Sequence, residues 1–167
     1  MKMGTYGSSR RSRDGFVSAL SAGFFFVLVG VLFIVTPNLF DSIVRFFQNF
    51  DMVQVPHFTT GFVLPAPKNP AMHVTVYSAA TQFGLAWGLF LIGLLAVRIL
   101  ANSPLRKKAE NASDIVYWLV NSYLVTIFLN STTTIPQWFA FWAAIIMLAG
   151  ITLLIRAAIL AVIQMVS

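Results

Sequence analysis

Long uncharged apolar runs, separated by short polar stretches, dominate this chain from residue 15 onward. A helix needs about 20 predominantly apolar residues to cross the hydrocarbon core of a bilayer. The runs predict four spanning helices, at about 15–36, 72–101, 114–130 and 136–160. The basic segment 102–111, called the basic turn, is predicted to join the second and third of these helices. The polar segment 130–137 marks a reversal between the last two, because the uncharged run 115–155 would measure about 60 Å as one helix.

The segment between the first two predicted spans has a different pattern. Apolar residues recur at helical spacing over 38–50, which predicts a short amphipathic helix in the outer membrane interface. A docking face for a partner subunit is the alternative interpretation of this helix. Four prolines and Gly61 exclude a long helix over 51–71 and predict an extended cap outside the membrane. The predicted fold class is therefore an all-α membrane protein with four transmembrane helices.

Composition agrees with a membrane protein and excludes an ordinary water-soluble one. The chain is 58% hydrophobic and 10% charged, whereas about 25% of residues are charged in soluble domains. The polar, basic stretch 1–14 predicts a flexible cytoplasmic tail. The apolar run after it is longer than the core of a signal peptide, which favours a retained helix. At 167 residues, we expect a single transmembrane domain over 15–167.

Basic residues concentrate on one side of the predicted bilayer. With the N-terminus inside, nine of the eleven Lys and Arg residues fall on the cytoplasmic side, leaving Arg45 and Lys68 outside. The positive-inside rule then predicts a multi-pass protein of the cell membrane with both termini cytoplasmic. Five basic residues are predicted to anchor lipid headgroups: Arg98, Arg106, Lys107, Lys108 and Arg156. The basic residues on the cytoplasmic side account for the net charge of +6, so anionic lipid headgroups are the expected partner and nucleic acid is not expected.

Small residues at intervals of four mark the second predicted span. Ala80, Gly84 and Gly88 form a ridge that allows another helix to approach closely. Packing within the chain and contact between subunits are both compatible with such a ridge.

Several polar residues interrupt the predicted spans: Gln82, Asn121, Ser122 and Thr126. Polar side chains in lipid need partners, so hydrogen bonding between helices is the favoured interpretation and a hydrophilic ligand path is the alternative. No Asp or Glu lies within the stretches predicted to cross the hydrocarbon core. Because ion-coupled transporters usually carry an intramembrane carboxylate, this argues against ion-coupled transport by the chain alone.

Candidate chemistry is sparse. Cysteine is absent, which excludes disulfides and thiolate metal sites, and no nucleotide-binding or hydrolase motif is present. His57 and His73 are weak candidates for a surface copper or zinc site completed by Asp41 or Asp51, with ordinary hydrogen-bonding histidines as the alternative. We therefore predict no catalytic residue and no cofactor.

Three short segments carry a resemblance to known proteins. They are Thr36-Pro37-Asn38-Leu39-Phe40, then Pro65-Ala66-Pro67 with Pro70 and His73, and Ser103-Pro104-Leu105-Arg106-Lys107-Lys108-Ala109-Glu110. Together they resemble a group of uncharacterised archaeal four-helix integral membrane proteins of unknown function. The resemblance implies the four-helix topology and no activity.

The apolar cap, the small-residue ridge and the missing reactive groups predict a non-catalytic accessory or scaffold subunit of a membrane complex, bound to other subunits or to copies of itself. One alternative is a small channel or transporter formed by oligomerisation near Gln82 and Thr126. A metal-binding membrane enzyme subunit is the other alternative.

Overall fold

The computed structural model describes residues 6–56 and 61–166, which are mostly helical with one small sheet. The elements, in chain order, are α1 (Tyr6–Val35), α2 (Leu39–Gln48), β1 (Phe50–Gln54), β2 (Val63–Pro67), a 3-10 helix (Pro70–His73), α3 (Val74–Leu100), α4 (Leu105–Phe128) and α5 (Ile135–Val166).

The long helices pack side by side in sequence order. Helix α3 packs along α4, α4 packs along α5, and α1 lies against α3. The end that carries α2, β1, β2 and the starts of α3 and α5 is called the hairpin end. The opposite end, where 101–104 joins α3 to α4, is called the turn end.

Within the described ranges 6–56 and 61–166, three segments are long and apolar enough to cross a membrane: Val17–Val35, Pro70–Leu100 and Ile135–Val162. Helix α4 is not among them. Its first half carries the charges of the basic turn, and its uncharged part beyond Asp114 is short. The predicted fourth crossing at 114–130 therefore stays a prediction.

Helix boundaries differ from those predicted at the start of α4, at the N-terminus and at the end of α5, which runs to Val166 rather than to about 160. Helix α4 begins at Leu105 rather than near 114, because Leu, Arg, Lys and Ala at 105–109 are strong helix formers. Helix α1 begins at Tyr6, inside the stretch predicted as a flexible tail. No proline interrupts that stretch, so a helix already nucleated by the apolar run extends backward at little cost.

The predicted all-α class is wrong in one respect, because the cap contains a two-stranded antiparallel sheet. Phe50 pairs with Pro67 and Gln54 with Val63, and the Lys68 N–H donates to the Asn49 carbonyl at 2.9 Å just beyond the last pair. Bonded and non-bonded pairs alternate along an antiparallel ladder, so Pro65 and Pro67 occupy positions whose N–H would point away from β1. Prolines are tolerated at such positions, which is why a proline-rich segment still forms a strand.

A core cluster of buried side chains lies below the sheet at the hairpin end. Its members come from β2, α3, α4 and α5: Ala66, Tyr77, Val125, Leu129, Trp138 and Phe141. Phe46 of α2 and Phe50 of β1 pack against it. The buried Tyr77 hydroxyl donates to the Pro70 carbonyl at 2.9 Å, which ties the start of α3 to the segment before it. The sheet and α2 are thus fixed on the helix ends.

Candidate functional site

Two of the three ridge residues lie in the contact between α3 and α4. A Cβ added at Gly84 would lie 3.2 Å from the Ser122 Cβ, and one added at Gly88 would lie 2.5 Å from the Leu119 Cδ2. Ala80 is exposed instead. Residues four apart are offset by about 40° around a helix, so a ridge at this spacing turns away from a straight neighbour.

Two side-chain hydrogen bonds, each donated by a buried residue of α4, join the same pair of helices. The Ser122 Oγ donates to the Thr81 carbonyl at 2.8 Å, and the Asn111 Nδ2 donates to the Leu91 carbonyl at 2.7 Å. The sequence reasoning missed Asn111 because it assigned 102–111 to a turn. Asn111 and Ser122 are eleven residues apart, about three helical turns, and this spacing was the available signal that they share a face.

The remaining polar candidates do not bond across this contact. Gln82 is exposed and its Nε2 donates to the Ser78 Oγ of its own helix at 3.4 Å. Thr126 is exposed and its Oγ1 donates to the Ser122 carbonyl, also within one helix, at 3.1 Å. Asn121 is half-buried. Gln82 lies close to the midpoint of the candidate span Pro70–Leu100.

The turn end is joined by arginine side chains. The Arg98 Nη1 of α3 donates to the Lys107 carbonyl of α4 at 2.8 Å. The Arg156 Nη2 of α5 lies 2.6 Å from the Glu110 Oε1 of α4, and the exposed Arg106 reaches the same oxygen at 3.3 Å. Arg98 and Arg156, predicted as headgroup anchors, therefore bind protein groups and connect three helices; their contact with headgroups stays a prediction.

The two other predicted anchors lie in the first turns of α4. Lys107 and Lys108 are half-buried, and the backbone N–H of each donates to the Pro104 carbonyl, at 3.0 and 3.3 Å. The first turn of α4 thus presents its basic side chains from an ordered helix end.

His73 is buried at the hairpin end, between α2 and the start of α3. The Asn69 N–H donates to the Asn49 Oδ1 at 3.0 Å, and the His73 Nε2 lies 3.1 Å from the same oxygen. Because that oxygen is an acceptor, the His73 Nε2 carries a proton and donates it. The His73 ring packs edge-on against Phe46, with centroids 5.1 Å apart.

The candidate metal site has no support from its described members. His57 lies outside the described residues. Within 6–56 and 61–166, no three His, Asp or Glu residues come together to hold a metal ion. Asp51 pairs instead with the Lys68 Nζ at 3.1 Å.

The described residues at the hairpin end line at least two cavities. The aromatic groove, of about 490 Å³, lies between α2, the sheet and the start of α5, and it is lined by Phe46, Phe47, Phe50, Leu64, Pro65, Trp138, Phe139 and Trp142. The polar pocket, of about 470 Å³, lies between α2 and the start of α3, and it is lined by Ser42, Arg45, Gln48, Asn49, Met72, His73 and Thr75. Neither cavity was predicted, because each combines residues distant in sequence.

Comparison of the chain with protein-family models, with curated proteins and with solved structures finds no match. The resemblance to archaeal four-helix proteins stays a prediction, and function has to be argued from the residues themselves.

Proposed function

We propose that the chain is a non-catalytic accessory or scaffold subunit of a membrane complex, crossing the cell membrane four times with both termini and the turn end in the cytoplasm. Helix α4 has 24 residues and is about 36 Å long, of which the uncharged part beyond Asp114 covers about 21 Å. A crossing of a hydrocarbon core of about 30 Å therefore requires the charged first half of α4 to extend from the core into the headgroup region. Helix α4 lies between two candidate spans, α3 and α5. The basic residues around 98–108 favour a cytoplasmic turn end.

The observation that carries the subunit role is the exposed amide of Gln82. Its hydrogen bond to Ser78 is long, at 3.4 Å, and uses one of the donors of an amide that also has an acceptor oxygen. Polar groups facing hydrocarbon without partners cost free energy, and membrane helices use glutamine to bond to neighbouring helices. A helix of another subunit, or of a second copy, would supply the missing partners.

Purification in a mild detergent followed by native mass determination tests this proposal. We expect a complex larger than one chain, and we expect Gln82→Leu to weaken it several-fold. Ile146→Val is the matched control, because Ile146 is an exposed apolar residue of α5 and its change removes no polar group. A monomer without protein partners, for both wild type and control, would contradict the subunit role.

A channel or transporter formed by oligomerisation is the second candidate function. Thr126 is exposed as Gln82 is, and both polar side chains are available to line a path between copies. Reconstituted liposomes would then pass a small solute, and Gln82→Leu would reduce that flux. An oligomer that forms normally but passes no solute would contradict the channel or transporter function and would be compatible with the scaffold role.

A further inference from the structure

Among the described residues that line the polar pocket, one is charged, and it is a cation. Arg45 contributes its guanidinium, and none of these lining residues is Asp or Glu. Asp41 lies one turn earlier on α2, yet within the described part of the chain it forms no ion pair with Arg45. Lys68 and Asp51, the other charges near this end, neutralise each other. The described lining residues therefore carry one formal positive charge, and Asp41 is the one acidic residue of α2.

The hydrogen bonds of Asn49 leave a donor at the pocket wall. The Asn49 Oδ1 already accepts from the Asn69 N–H and from the His73 ring. An amide has only an oxygen acceptor and two N–H donors, so what remains for a ligand is the Nδ2 group. That group makes no hydrogen bond among the described residues. The backbone donor at Asn69 fixes this orientation, because a flipped amide would place two donors together.

Other lining groups also favour an acceptor ligand. Gln48 contributes a second amide and Thr75 a hydroxyl. The hydroxyl of Ser42 is already committed, since it donates to the Asn38 carbonyl at 2.9 Å. Met72, His73 and Thr75 belong to the first turns of the helical segment that begins at Pro70, where the helix dipole adds partial positive charge.

We propose that this pocket binds a phosphate oxyanion, either of a phospholipid headgroup or of a free phosphate. Arginine forms strong, charge-assisted hydrogen bonds with phosphate oxygens, and neighbouring amide and hydroxyl donors complete such sites. The volume of about 470 Å³ is in the range of ordinary ligand pockets. The pocket lies at the first turns of the candidate span Pro70–Leu100, the depth at which headgroups meet a spanning helix. This site does not depend on the proposed subunit role.

Lipid binding to the full chain provides the test. The protein is purified, stripped of lipid with detergent, and titrated with phosphatidylglycerol or with inorganic phosphate while native mass spectrometry counts bound molecules. We expect one tightly held phosphate-bearing molecule. Arg45→Gln should weaken its binding about tenfold or more, because a charge-assisted bond is lost, and Gln48→Leu should weaken it about threefold.

Lys68→Gln is the matched control, since it removes an equal charge from an exposed position at the hairpin end, and Lys68 is not among the residues that line the polar pocket. Retention of phosphatidylglycerol that Arg45→Gln lowers and Lys68→Gln leaves unchanged supports a lipid site. The same pattern with inorganic phosphate alone supports a site for soluble phosphate. Equal losses in both variants, or no binding that depends on Arg45, would overturn the proposal. Circular dichroism of Arg45→Gln checks its fold, which we expect to be intact because Arg45 is exposed.

Discussion

Helices α4 and α1 both lie against α3, but they are held by different interactions. The α3–α4 contact has two glycines at close approach and two hydrogen bonds donated by buried residues. The α1–α3 contact is made by aromatic rings, with Phe24 stacked on Phe90 at 4.1 Å and Phe25 edge-on to Phe83 at 5.9 Å. Lipid is as apolar as these side chains, so apolar area alone does not drive helices together in a bilayer. Helices α3 and α4 therefore form a tight pair, and α1 is the more separable element.

The largest effect is expected from closing the gap at Gly88. Gly88→Leu would place a whole side chain at a position where an added Cβ alone would lie 2.5 Å from the Leu119 Cδ2. We expect a loss of about 3 kcal/mol of stability, the upper part of the usual range for overpacking. Thermal unfolding in detergent measures it. Gly93→Leu serves as control, because nothing lies within 4 Å of a Cβ there; equal losses in both variants would refute the close-contact interpretation.

A smaller loss is expected when the buried hydrogen bond of Asn111 is removed. Asn111→Ala should cost about 1–2 kcal/mol, since it deletes a buried bond and leaves a small cavity. The same thermal measurement applies. Stability within error of wild type would mean that glycine packing alone holds α4 to α3.

The α1 contact is predicted to weaken without loss of the α3–α4 pair. Phe24→Ala removes the stacked ring, an interaction that contributes about 0.5–1.5 kcal/mol beyond its area. Cross-linking between α1 and α3 should fall while the thermal midpoint stays near that of wild type. Phe33→Ala, at an exposed position of α1, should leave cross-linking unchanged. A large drop in the thermal midpoint for Phe24→Ala would contradict the proposed difference between the α1–α3 and α3–α4 contacts.

The smallest effect is expected from the exposed pair on the sheet, which belongs to neither helix contact. The Met52 N–H, and then Lys68, hold the pKa of Asp51 below its usual value. Because the folded-state pKa is lowered, this carboxylate stabilises the fold above its unfolded pKa, and the contribution is lost as pH falls through the folded pKa. Asp51→Asn should remove a slight acid sensitivity of the thermal midpoint. Identical acid profiles for wild type and Asp51→Asn would contradict this assignment.

Much of the helical layout could be predicted from apolar periodicity and length. Helix α3 and the short α2 fall within a few residues of their predicted positions. The start of α4 was missed because the charges at 106–110 were interpreted as a turn, although they are good helix formers. The sheet was missed because prolines argue against strands unless the direction of each missing N–H is known.

The candidate sites were less predictable, because they depend on rotation about helix axes and on distant segments. Spacing identified Gly84 and Gly88 but not the exposure of Ala80. Depth suggested that Gln82 and Thr126 bond across helices, whereas each bonds within its own. The polar pocket joins Arg45 to Thr75 across 30 positions of chain, which no local pattern reveals.

The two prolines of β2 also limit how the sheet can grow. Pro65 and Pro67 remove donors from the outer edge of β2, where only Val63 retains an outward N–H. An incoming strand from a neighbouring molecule would find that edge unable to complete a ladder. Strand addition, and any fibrous self-association that begins with it, is therefore restricted to the β1 side.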